Sequence, residues 1–273
     1  MARQSKKHAR EVRRDRVREK ALEKFEVVGD RLEGRGREIL YGLGLLVLAA
    51  GLAYAFWVWR GRKADEAQQA MGRAIEIASA EVGPTPLAAS NAPTFATERE
   101  RAERAADEFK RVADKYGEPY RSQAGYMRAT NLLSFDRQRG LSELETLARD
   151  GGGDVAAWAK FALAQARESD GQYDEAAAAY RELAAARDPK VIPADTANLR
   201  LASVLEKQGK KQEAVELLFQ IVKTARETRD KDNKPVAPSA SARAAEDQLE
   251  KLDPARHAQL PPEEKIDNLP SRG

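Results

Sequence analysis

The stretch AWAKFALAQARESDGQYDEAAAAYRELAAARDP, residues 157–189, has the clearest structural pattern in the chain. Two segments with helical apolar spacing flank a turn that contains Gly171, and Pro189 follows the second segment, where a helix is expected to stop. The stretch TANLRLASVLEKQGKKQEAVELLFQIVKTA, residues 196–225, has the same plan. Matching residues lie thirty-eight positions apart, namely Leu163-Ala164 and Leu201-Ala202, Gly171 and Gly209, Ala176 and Ala214, and Tyr180 and Leu218. The repetition predicts two helical hairpins of one kind.

These residues resemble the tetratricopeptide repeat. The family pattern of Leu-Gly, Gly-x-Tyr-x-x-Ala, an aromatic residue and Pro is matched by Leu163, Ala164, Gly171, Tyr173, Ala176, Tyr180 and Pro189. The second unit departs from the pattern, because Lys211 replaces the Tyr and Leu218 replaces the aromatic residue. The resemblance implies an all-α solenoid of helical hairpins that binds other proteins.

Further helices are predicted on both sides of these two hairpins. Residues 120–148 form a degenerate unit with Ala124 and Ala129 as small packing residues, and Thr97 with Glu100 forms a capping-box pattern that opens a helix over 97–116. Since a solenoid needs about three or more units, we assign residues 97–252 to one repeat domain. The alternative is a generic bundle of Ala-rich hairpins. The predicted helices are 97–116, 120–137, 141–149, 154–169, 173–187, 194–208, 211–229 and 239–252.

An uncharged stretch, ILYGLGLLVLAAGLAYAFWVW at residues 39–59, lies upstream of the repeats. At about 1.5 Å per residue, a helix of this length spans roughly 31 Å, close to the ~30 Å hydrocarbon thickness of a bilayer. Aromatic residues near both ends are typical of the membrane interface, namely Tyr41, Tyr54, Phe56, Trp57 and Trp59. The stretch is predicted to be a transmembrane helix.

Two alternatives fit this stretch less well. A buried helix of a soluble core would be shorter or would carry a polar stripe. A cleaved signal peptide is suggested by Ala53-Tyr54-Ala55, but its apolar region would cover about 7–15 residues. We therefore expect an uncleaved single-pass anchor. Residues 60–96 are predicted to be a helical extension and a Pro-containing linker, and residues 253–273 a disordered Pro-rich tail.

The charge distribution predicts the orientation of the anchor. Residues 1–38 hold thirteen Lys or Arg and eight Asp or Glu. A basic flank before an early anchor favours a cytoplasmic N-terminus and a C-terminal domain outside. In a bacterium this is the inner membrane with a periplasmic domain. The basic arm can also contact anionic membrane lipid or ribosomal RNA, but no motif supports specific nucleic-acid binding.

The first helix of each hairpin lines the concave surface in the family that the chain resembles. The resemblance therefore implies a partner-binding groove formed by Trp158, Phe161, Gln165, Glu168, Leu199, Arg200, Ser203 and Lys207. The Lys and Asn of the family's carboxylate clamp are absent, because Phe161 with Gln165 and Leu199 with Ser203 occupy those places. The alternative is that Phe161 and Leu199 are core residues.

No catalytic pattern was found in the sequence. The chain has no cysteine, and its two histidines, His8 and His257, are far apart. Phosphate-binding, serine-hydrolase and zinc-protease motifs are absent from the sequence. The Gly151–Gly153 run lacks the Lys of a phosphate loop and is interpreted as a linker. We expect that the protein is not an enzyme and that it binds no cofactor and no metal ion.

The arrangement of a basic arm, one anchor and outer repeats resembles the ancillary subunit of the bacterial SecYEG translocon. That resemblance implies partners among translocon subunits, exported chains and periplasmic chaperones. The alternative function is a structural scaffold of a cell-wall, division or outer-membrane assembly complex. In that case the anchor can self-associate through its small residues, Ala49, Gly51, Ala53 and Ala55, which are spaced for close helix contact.

Overall fold

The computed structural model describes residues 36–83, 93–186 and 191–264. The chain divides into two compact units, residues 1–65 and residues 66–273. The described part is all-α apart from one pair of two-residue strands. Its helices are α1 (Gly36–Ala78), α2 (Glu98–Lys115), α3 (Tyr120–Leu132), α4 (Arg137–Asp150), α5 (Gly153–Ser169), α6 (Tyr173–Ala184), α7 (Ala194–Lys207), α8 (Lys211–Glu227), α9 (Ala240–Leu252) and α10 (Pro254–His257).

The uncharged stretch lies within α1. This helix is long and apolar enough to span a membrane: it contains an 18-residue window with a mean hydropathy of 1.8, none of which is buried. Large apolar side chains are exposed along it, including Leu45, Leu48, Leu52, Phe56 and Trp57. Exposure of so many apolar side chains to water would be unfavourable. The composition of this part of α1 is therefore typical of a helix that contacts lipid or other proteins.

The second unit consists of helical hairpins that pack in chain order. Each helix from α2 to α9 packs against the next one, and the first helices of neighbouring hairpins also touch, α3 with α5 and α7 with α9. The largest core cluster extends from Ala164 in α5 to Leu249 in α9. The last turns of α1 join α2 and α3 through Ala67, Met71 and Phe109. The predicted all-α fold, with one apolar helix followed by packed hairpins, is confirmed.

The turn inside each of the two similar hairpins closes by the same backbone motif. Gly171 and Gly209 both have positive φ, at 75° and 78°. In the first turn the Gln172 amide donates to the Arg167 carbonyl at 2.9 Å, and in the second the Lys210 amide donates to the Leu205 carbonyl at 2.9 Å. This is a Schellman arrangement, in which a left-handed residue is needed just after the helix and glycine adopts it without strain.

Small residues set the distance between the two helices of each hairpin. The fourth residue of the second helix is Gly140 in α4, Ala176 in α6 and Ala214 in α8, and all three are buried. A Cβ on Gly140 would lie 2.9 Å from the Leu133 amide nitrogen and 3.0 Å from the Ala129 carbonyl oxygen. Residues 120–150 are therefore a third hairpin with an even closer helix contact.

The segment between α1 and α2 contains the strand pair. β1 (Glu81–Val82) pairs in parallel with β2 (Thr94–Phe95), although the sequence showed no strand pattern. The predicted capping box then begins α2: the Glu100 amide donates to Thr97 Oγ1 at 3.1 Å, and the Ala96 amide donates to the Glu100 carboxylate at 3.2 Å. The linker residues 84–92 and the predicted stop at Pro189 lie outside the described residues.

The predicted tail differs from the structure in its first half. Asp253 caps α10 by accepting a hydrogen bond from the Arg256 amide at 2.9 Å. The Arg256 guanidinium lies 3.7 Å from the centre of the Phe219 ring and donates to Glu216 at 2.6 Å. Because this cation covers an aromatic side chain of α8, residues 253–264 pack on the repeat domain, and the high Pro content did not indicate this contact.

Candidate partner-binding surface

The first helices of the hairpins share an apolar cleft in the second unit. The cleft has a volume of about 270 Å³ and is lined by Met71, Ile75, Gln123, Tyr126, Met127 and Trp158. These residues come from α1, α3 and α5. Ile75 is 44% exposed, whereas Met71 is 9% exposed, so the cleft has an accessible rim and a packed floor. We call this set of residues the apolar cleft.

A second cleft adjoins the first and carries negative charge. It has a volume of about 600 Å³ and is lined by Glu118, Pro119, Ser122, Gln123, Asp150, Gly152, Gly153, Asp154, Val155 and Trp158. Its lining holds three carboxylates and no basic side chain. Gln123 and Trp158 belong to both linings, so the two clefts meet at these side chains. We call this set the acidic cleft.

Trp158 lies at the junction of the two clefts because α5 packs against α3. Its ring centre is 5.8 Å from that of Tyr126, and the two planes are tilted by 41°. Burial raises the pKa of Tyr126 above its ordinary value of 10.0. The Tyr126 hydroxyl is therefore neutral throughout the physiological range, and the wall of the cleft stays uncharged at this point.

The structure joins three of the predicted groove residues in one ion-pair network. Glu168 is 6% exposed and is the buried charged residue among the described residues. Its carboxylate accepts hydrogen bonds from Lys207 Nζ at 2.8 Å, from Arg200 Nη2 at 3.0 Å and from the Tyr180 hydroxyl at 3.0 Å. Since the carboxylate is satisfied by side chains of α6 and α7, Glu168 connects neighbouring hairpins and is not an open contact point for a partner.

The other predicted groove residues have different environments. Phe161 is half-buried, and its ring stands edge-on to Tyr180 with 5.7 Å between the ring centres. Leu199 is half-buried against the same core, and its carbonyl accepts a hydrogen bond from the Ser203 hydroxyl at 3.2 Å. Gln165 is exposed. Phe161 and Leu199 are thus partly buried and pack against the core, whereas Trp158 lines both clefts.

Sequence reasoning missed most of the apolar cleft. Met71 and Ile75 are four residues apart in α1, but the sequence assigned this region to an extension outside the repeats. Tyr126 and Met127 lie in the degenerate hairpin, where no family pattern marked them. The available signal was the Met71–Ile75 spacing on one face of a helix that continues beyond the uncharged stretch.

A third cleft lies at the other end of the repeats. It has a volume of about 420 Å³ and lies between α7, the C-terminal half of α8, the loop that follows and the start of α9. Asp195 in its lining accepts hydrogen bonds from the Thr196 amide at 2.7 Å and from the Ser239 hydroxyl. The contact with Ser239 connects α7 to the start of α9, so Asp195 and Ser239 are engaged in packing.

The small residues predicted to allow helix contact all lie in the exposed, uncharged part of α1. Ala49, Gly51, Ala53 and Ala55 are exposed, and a Cβ on Gly51 would meet no atom within 4 Å.

Across residues 36–83, 93–186 and 191–264 the structure shows no group of three or more His, Cys, Asp or Glu side chains that could hold a metal ion.

Residues 161–191 match the family model described as tetratricopeptide repeat. The matched segment covers most of α5, all of α6 and the turn with Gly171. No curated protein and no solved structure matches the chain. The matched repeat and the packed hairpins make this a protein with tetratricopeptide-like repeats, and such repeats generally mediate contacts between proteins.

Proposed function

We propose that the protein is a membrane-anchored module that binds other proteins during export, at the translocon or in the transfer of exported chains to periplasmic chaperones. The observation that carries the proposal is the apolar cleft on the first helices of the hairpins. Because exposed Ile75 lies beside half-buried Tyr126, Met127 and Trp158, a partner side chain can enter the cleft and be surrounded by apolar atoms.

The side chains of the cleft suit partners of variable sequence. Met71 and Met127 are unbranched and polarizable, so they adapt to differently shaped apolar groups. Tyr126 and Trp158 provide large rigid contact area. A surface that must accept many exported chains needs such adaptability more than a unique set of hydrogen bonds.

The proposed location rests on the sequence. The basic flank of residues 1–38 favours a cytoplasmic N-terminus, and the repeat domain then lies in the periplasm of a bacterial cell. A reporter enzyme that is active only outside the cytoplasm, fused after Gly273, tests this orientation. Reporter activity supports a periplasmic repeat domain, and an inactive but stable fusion contradicts it.

Photo-crosslinking in intact cells tests the proposed partners. The reactive residue is placed at Ile75, on the exposed rim of the apolar cleft, and the matched control places it at Glu175, exposed on α6. We expect adducts with translocon subunits, exported chains or periplasmic chaperones from Ile75 and not from Glu175. A set of adducts that does not differ between the two positions contradicts a role of the cleft.

A scaffold of an envelope assembly complex is the second candidate function. The observation that favours it is the exposed series of small residues in α1, where Gly51 leaves open space for another helix. In this case, Gly51→Leu together with Ala55→Leu reduces the size of the complex extracted from the membrane. A control with Leu45→Ala and Leu46→Ala keeps the segment apolar and leaves that size unchanged.

A further inference from the structure

We infer that the two adjoining clefts select polypeptide segments in which a large apolar side chain lies next to Lys or Arg. This inference rests on the proposed function and specifies the chemistry of the partner. Such a segment places its apolar side chain in the apolar cleft and its cation at the carboxylates of the acidic cleft.

The charges around the acidic cleft support a partner that carries Lys or Arg. Among its three carboxylates, Asp150 is paired with the neighbouring Arg149, whose Nε lies 3.0 Å from the Asp150 carboxylate. That guanidinium lowers the pKa of Asp150 below its ordinary value of 3.8. Glu118 accepts hydrogen bonds from two neutral donors of Ser122, the hydroxyl at 2.6 Å and the backbone amide at 3.4 Å. No ion pair to Glu118 or Asp154 occurs among the described residues. Two negative charges therefore face the cleft without a cation from the described part of the chain.

The carboxylates lie beside the apolar wall. This position favours a partner whose cation is adjacent to its large apolar side chain. Trp158 and Gln123 line both clefts, so the carboxylates begin where the apolar wall ends. An acidic segment in the same place would bring like charges together, which disfavours binding. The Trp158 ring between the two clefts also offers a face for a cation.

Trp158 allows a direct binding measurement. The chain has three tryptophans, and two of them, Trp57 and Trp59, lie in the uncharged stretch. In the full-length Trp57→Phe, Trp59→Phe background, the fluorescence of Trp158 reports occupancy of the clefts. Lipid nanodiscs with zwitterionic headgroups hold the protein, because anionic lipid would itself attract a basic peptide.

The probes are short Gly-Ser peptides that carry one Phe, flanked by Lys, by Glu or by Ser. We expect the Lys peptide to bind more tightly than the Glu peptide. Replacing the two free carboxylates by Glu118→Gln and Asp154→Asn weakens binding of the Lys peptide about tenfold, since exposed charge pairs contribute about threefold each. The matched control, Glu175→Gln with Glu213→Gln, removes two exposed carboxylates elsewhere and leaves binding unchanged.

Equal binding of the Lys and Glu peptides, or unchanged binding after Glu118→Gln and Asp154→Asn, overturns the inference. The failure of the proposed function gives a different result. If Ile75 crosslinks to proteins in cells while the peptides show no charge preference, only the selectivity fails. If Ile75 gives no specific crosslink, the proposed function fails as well. An Ile75→Ser variant that binds the Lys peptide as tightly as the unchanged protein also contradicts the inference, because the apolar cleft would then not contribute to peptide binding.

Discussion

At the residue scale, the Glu168 carboxylate connects two consecutive hairpins of the repeat domain. It lies on α5 and accepts hydrogen bonds from Lys207 and Arg200 of α7 and from Tyr180 of α6. A buried carboxylate is costly unless such donors satisfy it. The packing of neighbouring repeats thus depends on one charged side chain as well as on apolar burial.

Glu168→Gln is expected to lower the free energy of unfolding by about 2 kcal/mol, because the amide cannot stabilise both cations. The side chains of Arg200 and Lys207 are 38% and 48% exposed, so water partly replaces the lost contacts and limits the effect. Urea denaturation of the variant measures it. Glu175→Gln, on an exposed site of α6, serves as the control. Equal stability of the two variants would exclude the network as a contributor.

The hydroxyl of Tyr180 makes stability depend on alkaline pH. Burial raises the pKa of Tyr180 from its ordinary value of 10.0 to about 12. Because the folded state holds this proton more tightly than the unfolded state, the contribution of Tyr180 is complete below pH 10 and is lost as the pH rises through about 12. The loss amounts to about 3 kcal/mol.

Thermal denaturation between pH 9 and pH 12 tests this dependence. We expect the alkaline decline of stability to be shallower in Tyr180→Phe, which has no titrating hydroxyl. The other side chains are the same in both proteins, so their contribution cancels in the difference. Parallel declines would show that Tyr180 is deprotonated as easily in the folded state as in the unfolded state.

The candidate site was predictable only in part at this scale. The family resemblance places Trp158, Glu168, Arg200 and Lys207 on the first helices, and the structure brings the last three together. It could not indicate that Glu168 is satisfied internally, since that depends on how α6 and α7 approach α5. Met71 and Ile75 of the apolar cleft lie in the same helix as the uncharged stretch. The sequence therefore indicated a membrane anchor for this helix and gave no sign that its last turns line a cleft.

At the element scale, the hairpin of α3 and α4 depends on a residue without a side chain. A Cβ on Gly140 would contact backbone atoms at 2.9 and 3.0 Å, whereas a Cβ on Gly125, also within a helix, would meet its nearest atom, Leu147 Cδ2, at 3.8 Å. Gly140→Ala is therefore expected to cost about 1–2 kcal/mol of stability despite the better helix propensity of Ala.

Gly125→Ala provides the matched control for this prediction. The same substitution there gains helix propensity without a clash and is expected to stabilise the protein by about 0.5–1 kcal/mol. Chemical denaturation of both variants gives the two values. Changes of the same sign would mean that α4 can move away from α3 without loss.

Helices were predictable from the sequence because their apolar spacing and turn glycines are local signals. All eight predicted helices of the repeat domain occur, and the capping box at Thr97 forms as expected. The boundary between α3 and α4 was less accurate: the sequence extended α3 to residue 137, whereas the helix ends at Leu132. This hairpin lacks the turn glycine that marks the other two, and the short strands depend on a pairing that no local pattern encodes.

At the scale of the whole molecule, the apolar clusters belong to the second unit, residues 66–273. They begin at Ala67 and extend to Leu260, so they do not require the uncharged stretch. We expect residues 66–273 to fold alone and remain soluble after deletion of residues 1–65. Circular dichroism and gel filtration test this, with the full-length protein in nanodiscs for comparison. Aggregation, or loss of the cooperative transition, would show that the first unit contributes to the fold.

The contact of α10 with α8 has a consequence for the lifetime of the protein in the cell. Arg256 covers the Phe219 ring, and Arg226 and Arg229 contact the chain near residues 261–264. A protease that cuts after Leu252 would remove this cover in one step and leave the aromatic side chain of Phe219 in α8 open to solvent. We therefore expect loss of residues 253–264 to expose the surface around Phe219 and to make the protein more susceptible to further proteolysis.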